Sequence, residues 1–296
     1  MPFYSLSEQE LTGVAKKHLF SLEFWLRRVI DNVLTEAYGD TYWKPSEEAS
    51  STPNILSKGV REKVQERIDK SVPGRFSRWI DATLIEHQIE LVTNNKLYDD
   101  LFKPFFALLF PGNFSQEREY IKFVLGKCAS VRNAVYHSNP ISVRQVEQTV
   151  CYTNDIIESI KAQYATLKMQ ETYNAPTIIG FNDSRGLQVL DGQFNKTSLG
   201  KHVNLPEHYK MRPGDRIRFS IEVDSSFRSD EYTIEWRYGT MMILGQGASI
   251  LLELEEKHVS ERASISVEVI SNKKWHRHRH NDDDLSIVFR VLPPLQ

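Results

Sequence analysis

Apolar residues recur every three to four positions along the first half of the chain and every second position along the second half. The first pattern predicts helices. Ser7 followed three residues later by Glu10 is a capping-box arrangement. Leu11, Ala15, Leu22, Leu26, Val29 and Val33 then repeat at helical spacing as far as Tyr38, and Gly39 ends the run. A polar stretch bracketed by prolines, 44–54, reads as a loop. Val60, Val64 and Ile68 mark a short helix closed by Pro73 and Gly74, and Ile80, Leu84, Ile85, Ile89 and Val92 mark another. A further short helix is expected from Tyr98 to Leu109, before Pro111 and Gly112. Two longer helices follow. One starts near Ser115 and buries Ile121, Val124, Leu125, Cys128 and Val131. The other starts at Ser142, a good N-cap, and carries Val143, Val146, Val150, Ile157 and Ile160 to about Met169.

From about Thr177 the period becomes two. Ile217, Phe219, Ile221 and Val223 alternate with polar residues, as do Tyr232, Ile234 and Trp236; Ile265, Val267 and Val269; and Leu285, Ile287, Phe289 and Val291. Turns are marked by Asp191-Gly192 and Pro213-Gly214. The fold class expected is therefore an all-α helical bundle over 1–172 followed by an antiparallel β-sandwich over 177–296, immunoglobulin-like or PKD-like in outline, with Trp236 in its core.

Composition adds limits. The 296 residues are 40% hydrophobic, enough for two ordinary cores. The net charge of −2 divides evenly: 21 basic and 22 acidic residues precede position 175, and 16 and 17 follow it. No bulk basic surface for nucleic acid is announced, so any RNA contact must come from local clustering made by the fold. No apolar run is long enough to span a membrane, and the first ten residues carry no signal-peptide pattern. Cys128 and Cys151 are the only cysteines and sit in helical patterns, which argues against a disulfide framework and points to a reducing cytoplasm.

Chemistry concentrates in Arg132-Asn133-Ala134-Val135-Tyr136-His137, at the end of one long helix and the corner into the next. Cleaving RNA without a metal takes a base for the ribose 2′-hydroxyl, charge compensation at the phosphorane and a proton for the leaving oxygen. Histidine takes up and returns a proton near neutral pH, a service worth roughly 10²–10⁴-fold. Arginine stays charged and matches phosphate oxygens with a planar fork. Asn133 is placed to orient the histidine or to bind the sugar. The alternative is that Arg132 caps a helix C-terminus and His137 occupies a turn.

These residues match the R-x4-6-H signature of HEPN domains, in the RN-x3-H form. The match extends to the first helix, where Leu26 and Arg27 lead to a turn with Tyr38, Gly39 and Trp43. Residues 15–168 thus resemble a HEPN domain; the β region does not. The resemblance implies a helical bundle, a homodimer with two motifs across a shared cleft, and a metal-independent endoribonuclease of the kind found in toxin–antitoxin, abortive-infection and CRISPR-linked defence systems. It implies catalytic roles for Arg132, Asn133 and His137, and no metal or cofactor. A HEPN domain that binds RNA or a protein partner without cutting is the rival reading.

Around the motif, Tyr136 is a candidate for base stacking, and Lys127 and Arg144 for phosphate contact; packing and solvated charge are their ordinary readings. Glu23 and Arg27, four apart on the first helix, either support the site or form a simple helix-face ion pair. In the second half, Trp275, His276, His278 and His280 stand in a basic run followed by Asp282, Asp283 and Asp284. On a strand the three histidines would share one face, as a zinc site needs. The run falls between two strand patterns, however, and reads as a hairpin loop, either solvated or binding a small-molecule or protein trigger.

Overall fold

The computed structural model describes residues 3–44, 56–73, 75–110, 112, 115–169, 173–197, 200–239 and 242–295. The polar loop expected at 44–54 lies outside them beyond Lys44, as do Gly74, Pro111 and residues 170–172. The chain forms two compact units, Met1–Tyr173 and Asn174–Gln296, the first helical and the second built of strands. No helix among the described residues is long and apolar enough to cross a membrane.

The helical unit is organised on α1 (Glu8–Tyr38). Its N-terminus closes as the sequence predicts: the Ser7 hydroxyl accepts from Glu10 N, and the Glu10 carboxylate accepts from Ser7 N at 2.8 Å. From Leu19 to Leu26 every residue is buried, so this stretch is surrounded on all sides rather than amphipathic. Packed on α1 are α3 (Ile85–Val92), α5 (Glu117–Tyr136) and α6 (Val143–Thr166). The shorter α2 (Lys58–Asp69) meets a 3-10 turn, Trp79–Ala82.

Two expected helices come out differently. The run from Ile80 to Val92 is broken at Thr83, which is extended and closes the 3-10 turn by donating its hydroxyl to Ile80 O at 2.7 Å. The run from Tyr98 to Leu109 follows a one-turn α4 (Asn95–Leu97) as a π turn, Tyr98–Phe102, and then a 3-10 segment, Lys103–Leu109. Pro104 supplies the reason: it offers no N–H and clashes with the carbonyl four residues back, so regular α geometry cannot continue through it.

Among the described residues the β unit holds ten strands in two sheets. Its strands are β1 (Ile178–Asp183), β2 (Gln188–Leu190), β3 (Asn195–Thr197), β4 (Gly200–Asn204), β5 (Arg216–Val223), β6 (Tyr232–Tyr238), β7 (Met242–Gln246), β8 (Ser249–Glu253), β9 (Ser260–Ser271) and β10 (Asp283–Val291). One sheet has the order β2-β1-β5-β8 and the other β3-β4-β10-β9-β6-β7. The second is mixed, not antiparallel throughout: β4 runs parallel to β10, from Leu285 against Lys201 to Val288 against Asn204. Parallel neighbours need a crossover, and here β5 to β9 intervene between the two. The alternating residues of β5, β6, β9 and β10 supply one apolar core drawn from both sheets. Trp236 is fully buried in it, with its indole N–H donated to Gly247 O at 2.8 Å.

Two buried histidines, one per unit, serve as backbone acceptors. His87 Nδ1 accepts from Leu84 N at 3.2 Å, and His258 Nδ1 from Glu255 N at 2.8 Å. Burial lowers both pKa values from the ordinary range. A folded pKa below the unfolded one means that the unfolded chain binds more protons in acid. The stabilisation is therefore complete above about pH 6.5 and is lost as pH falls through the folded values. We expect each protonation to forfeit one hydrogen bond, about 1 kcal/mol. Thermal midpoints between pH 7.5 and 5 should fall for the parent and fall less for His87→Gln with His258→Gln, whose amide oxygens accept at any pH. Identical slopes would remove the histidines from the account.

Candidate active site

The end of α5 is fixed by a closed set of backbone bonds. Ser138 N donates to Val135 O and Asn139 N to Ala134 O at 2.9 Å, with Ser138 left-handed at φ 54. This is a Schellman closure with a serine where glycine is usual. It makes His137 the C-cap, with its N–H on Asn133 O at 3.1 Å. The histidine backbone is thereby held while its side chain stands exposed.

Arg132, one turn earlier, points the other way in energetic terms: its side chain is 13% exposed and is engaged on three sides. Its Nε meets Glu23 Oε1 at 3.2 Å, its Nη1 donates to Asn133 Oδ1 at 3.2 Å, and its guanidinium lies 4.1 Å over the Tyr136 ring. Glu23, in the fully buried stretch of α1, gives its other oxygen to Arg27 Nη2 at 2.7 Å, and Arg27 also donates to Thr83 O. The two arginines thus share one buried carboxylate. Asn133 donates in turn to Glu86 Oε1 at 2.9 Å. Tyr136 packs on Phe20 with ring centroids 6.2 Å apart. Its phenol is pushed up to about 12 by burial and by Glu23, against the arginines, so it stays protonated.

The structure therefore brings Glu23, Arg27, Arg132, Asn133 and Tyr136 together. It does not place His137 on that cluster. Five residues on an α-helix turn through about 140°, and among the described residues the His137 ring has no hydrogen bond to Arg132 or any other group. Lys127 is likewise off the cluster. It lies roughly 140° around α5 from Arg132 and covers the Phe123 ring at 5.2 Å. With Gln145, Gln148 and Tyr152 it lines a small cavity of about 110 Å³. Arg144 is exposed in the first turn of α6, and no contact joins it to Arg132. Three participants escape the sequence reading. Thr83 and Glu86 enter only through tertiary contact. Arg67, whose Nη1 donates to Ala82 O at 2.9 Å, looks in the sequence like an ordinary cation in the last turn of α2.

In the β unit, the segment between β9 and β10 is not a strand, so His276, His278 and His280 do not form a common face. His276 instead turns onto the buried Asp282 at 3.1 Å, while His278 and His280 are exposed. Burial would raise the Asp282 pKa, but hydrogen bonds from Ser271, His276 and the Arg277 N–H together hold it below the usual carboxylate value. Trp275 is half-buried beneath Lys273, whose Nζ lies 4.5 Å from the ring. Among the described residues no group of three metal-ligating side chains is found. No family model and no curated protein matches the chain.

The sharing of Glu23 sets an order of costs. Glu23→Gln leaves two half-buried guanidiniums without their anion and should destabilise by about 3–5 kcal/mol. Arg132→Gln leaves Glu23 still paired with Arg27 and should cost about 1–3 kcal/mol. Urea unfolding of the two variants reads the difference. A larger loss for Arg132→Gln would show that Glu23 is not the centre of the cluster.

Proposed function

We propose that the helical unit is a HEPN-type bundle acting as a metal-independent endoribonuclease, and that the β unit is an immunoglobulin-like sandwich that controls it. The observation that carries this is the positive cluster beside an exposed histidine at RN-x3-H. Arg27 and Arg132 outnumber the one carboxylate they share, which leaves charge for a phosphate. His137 is the general base or acid, Arg132 the stabiliser of phosphorane charge, and Asn133, tied to Arg132 and Glu86, the orienting group. The biological setting that the resemblance implies is a cytoplasmic toxin or defence effector.

The angle between Arg132 and His137 also favours a homodimer. Within one chain the two side chains leave the helix on different faces. A two-fold axis past the end of α5 sets the histidine of one copy near the arginine of the other and doubles the local charge. The rival reading, a HEPN domain that binds RNA or a protein without cleaving, is favoured by the engagement of Arg132 with Glu23 and Tyr136, which suits a structural cation equally well.

The deciding experiment is incubation of the full chain with total cellular RNA in EDTA. We expect cleavage with 2′,3′-cyclic phosphate and 5′-hydroxyl ends, and at least about a hundredfold loss in His137→Ala. Arg132→Ala should lose activity too, but it takes a partner from Glu23 and is to be read beside its unfolding curve. The same assay without residues 177–296 reads the control exerted by the β unit. Undiminished cleavage by His137→Ala would overturn the assignment of catalysis to the RN-x3-H motif, and no cleavage by the parent would return the domain to the binding reading. In sedimentation, we expect a dimer at the concentrations that cleave; a clean monomer there would refute the shared cleft.

A further inference from the structure

Four guanidinium groups, not two, gather in the helical unit. Arg27 donates to Thr83 O at 3.2 Å and Arg67 to Ala82 O at 2.9 Å. These carbonyls are consecutive, so a cation from α1 and one from α2 are set side by side. Arg27 reaches Glu23, Glu23 reaches Arg132, and Arg132 lies over Tyr136. At the other end, Arg67 and Arg75 both stand over the Phe76 ring, at 5.2 and 5.6 Å. The contacts give an order: Tyr136, Arg132, Arg27, Arg67, Phe76, Arg75.

The charge in this run is not balanced internally. Arg67 has no carboxylate partner among the described residues. Its pKa is lowered by burial first and then by Arg27, Arg75 and Arg132, with Glu23 the opposing charge. A purely structural arginine at the end of α2 needs the Ala82 carbonyl and nothing more; it gains nothing from three like charges around it. An anion relieves that repulsion. Guanidinium forks match phosphate oxygens, and the aromatic rings in the run, Tyr136 at one end (45% exposed) and Phe76 between Arg67 and Arg75, match unpaired bases.

We propose that this run is a track for single-stranded RNA, in which Arg67 and Arg132 bind backbone phosphates and Tyr136 and Phe76 stack the flanking bases. The inference rests on the ribonuclease reading for the identity of the polymer, and it adds Arg67, Phe76 and the single-stranded form. A duplex keeps its bases inside and offers the two rings nothing to stack on.

The test is fluorescence anisotropy of the full chain with a short labelled 2′-O-methyl RNA, which cannot be cleaved through its 2′-oxygen. Arg67→Gln should weaken binding about tenfold and flatten the dependence of log K on log salt by about 0.7. Arg67→Lys should keep the slope, which also guards against misfolding of the glutamine variant. Phe76→Leu should weaken binding at least about fivefold with the slope unchanged. Lys58→Gln makes the same charge change roughly 180° away on α2 and should alter neither quantity. The matching duplex should bind more weakly than the single strand. Equal losses in Arg67→Gln and Lys58→Gln, equal affinity for the duplex, or tighter binding of inorganic phosphate than of RNA would each overturn the track. His137-dependent cleavage that persists with Arg67-independent binding would overturn this inference alone. Arg67-dependent binding without any cleavage would overturn the nuclease reading alone.

Discussion

A carboxylate inside a helical bundle has to be paired, because an isolated charge there costs several kcal/mol of lost hydration. Glu23 is that carboxylate. It lies in the one stretch of α1 with no solvent side, and its two oxygens are answered by arginines from two different helices. Through Arg132 it fixes the end of α5, and through Arg27 it reaches Thr83, where the chain leaves its 3-10 turn for α3. Asn133 and Glu86 then tie α5 to α3. Beyond the backbone closure of α5 and its buried apolar face, the placement of the RN-x3-H segment therefore depends on one side chain more than a hundred residues earlier. A stability argument alone does not explain it, since a well-packed apolar residue at position 23 would avoid the desolvation.

The β unit uses buried acids for a different purpose. Asp282 and Asp283 look in the sequence like a solvated acidic cluster. Both are buried, Asp282 in the bend before β10 and Asp283 as its first residue, and each answers a different set of donors. Asp283 accepts from Ile178 N at 2.7 Å and from Lys201 Nζ at 2.6 Å, which joins β1 of one sheet to β4 and β10 of the other. Asp282 accepts from Ser271 N, His276 and Arg277 N, so it folds the β9–β10 connection onto its own base. The oddest stretch of the chain is thus pinned from inside. What it leaves outside is a smaller set than its composition suggests, chiefly His278, Arg279 and His280.

How much of this could be read from the sequence follows from the range of the interactions involved. The ends of α1 and α6 were legible because capping boxes are local: Ser7 with Glu10, Ser142 with Gln145. The alternation in β5, β6, β9 and β10 was legible because one face of each strand meets one core. Pro104 was visible in the sequence but was outweighed there by the apolar run around it. The parallel pairing of β4 with β10 left no local trace, because β4 is short and polar-apolar alternation does not carry direction. At the candidate site, Arg132 and His137 stood out by spacing, and Glu23 with Arg27 by their i,i+4 relation. That Glu23 also holds Arg132 could not be seen, since nothing in a linear pattern links the middle of α1 to the end of α5. Lys127 lies on another face of α5 from Arg132, since nearness in sequence to a motif says little about which face of a helix a side chain occupies.

The overall charge gives the least guidance of all. A net charge of −2, split evenly between the two halves, describes a chain with no general affinity for a polyanion. Yet Arg27 and Arg132 share Glu23, and Arg67 and Arg75 continue the same run, with Glu86 tied to it through Asn133. Averaging over the chain hides such a cluster, because acidic residues elsewhere, such as Glu62, Glu66 and Glu158, are spread over exposed helix faces. For a phosphate ligand the relevant quantity is the field within about a Debye length, roughly 8 Å at physiological salt. In the cluster four guanidiniums stand against Glu23 and Glu86, while the whole chain carries a net charge of −2. On the proposed reading a polyanion would be held at one place rather than over the whole surface, which is the arrangement a site-specific reaction on RNA needs.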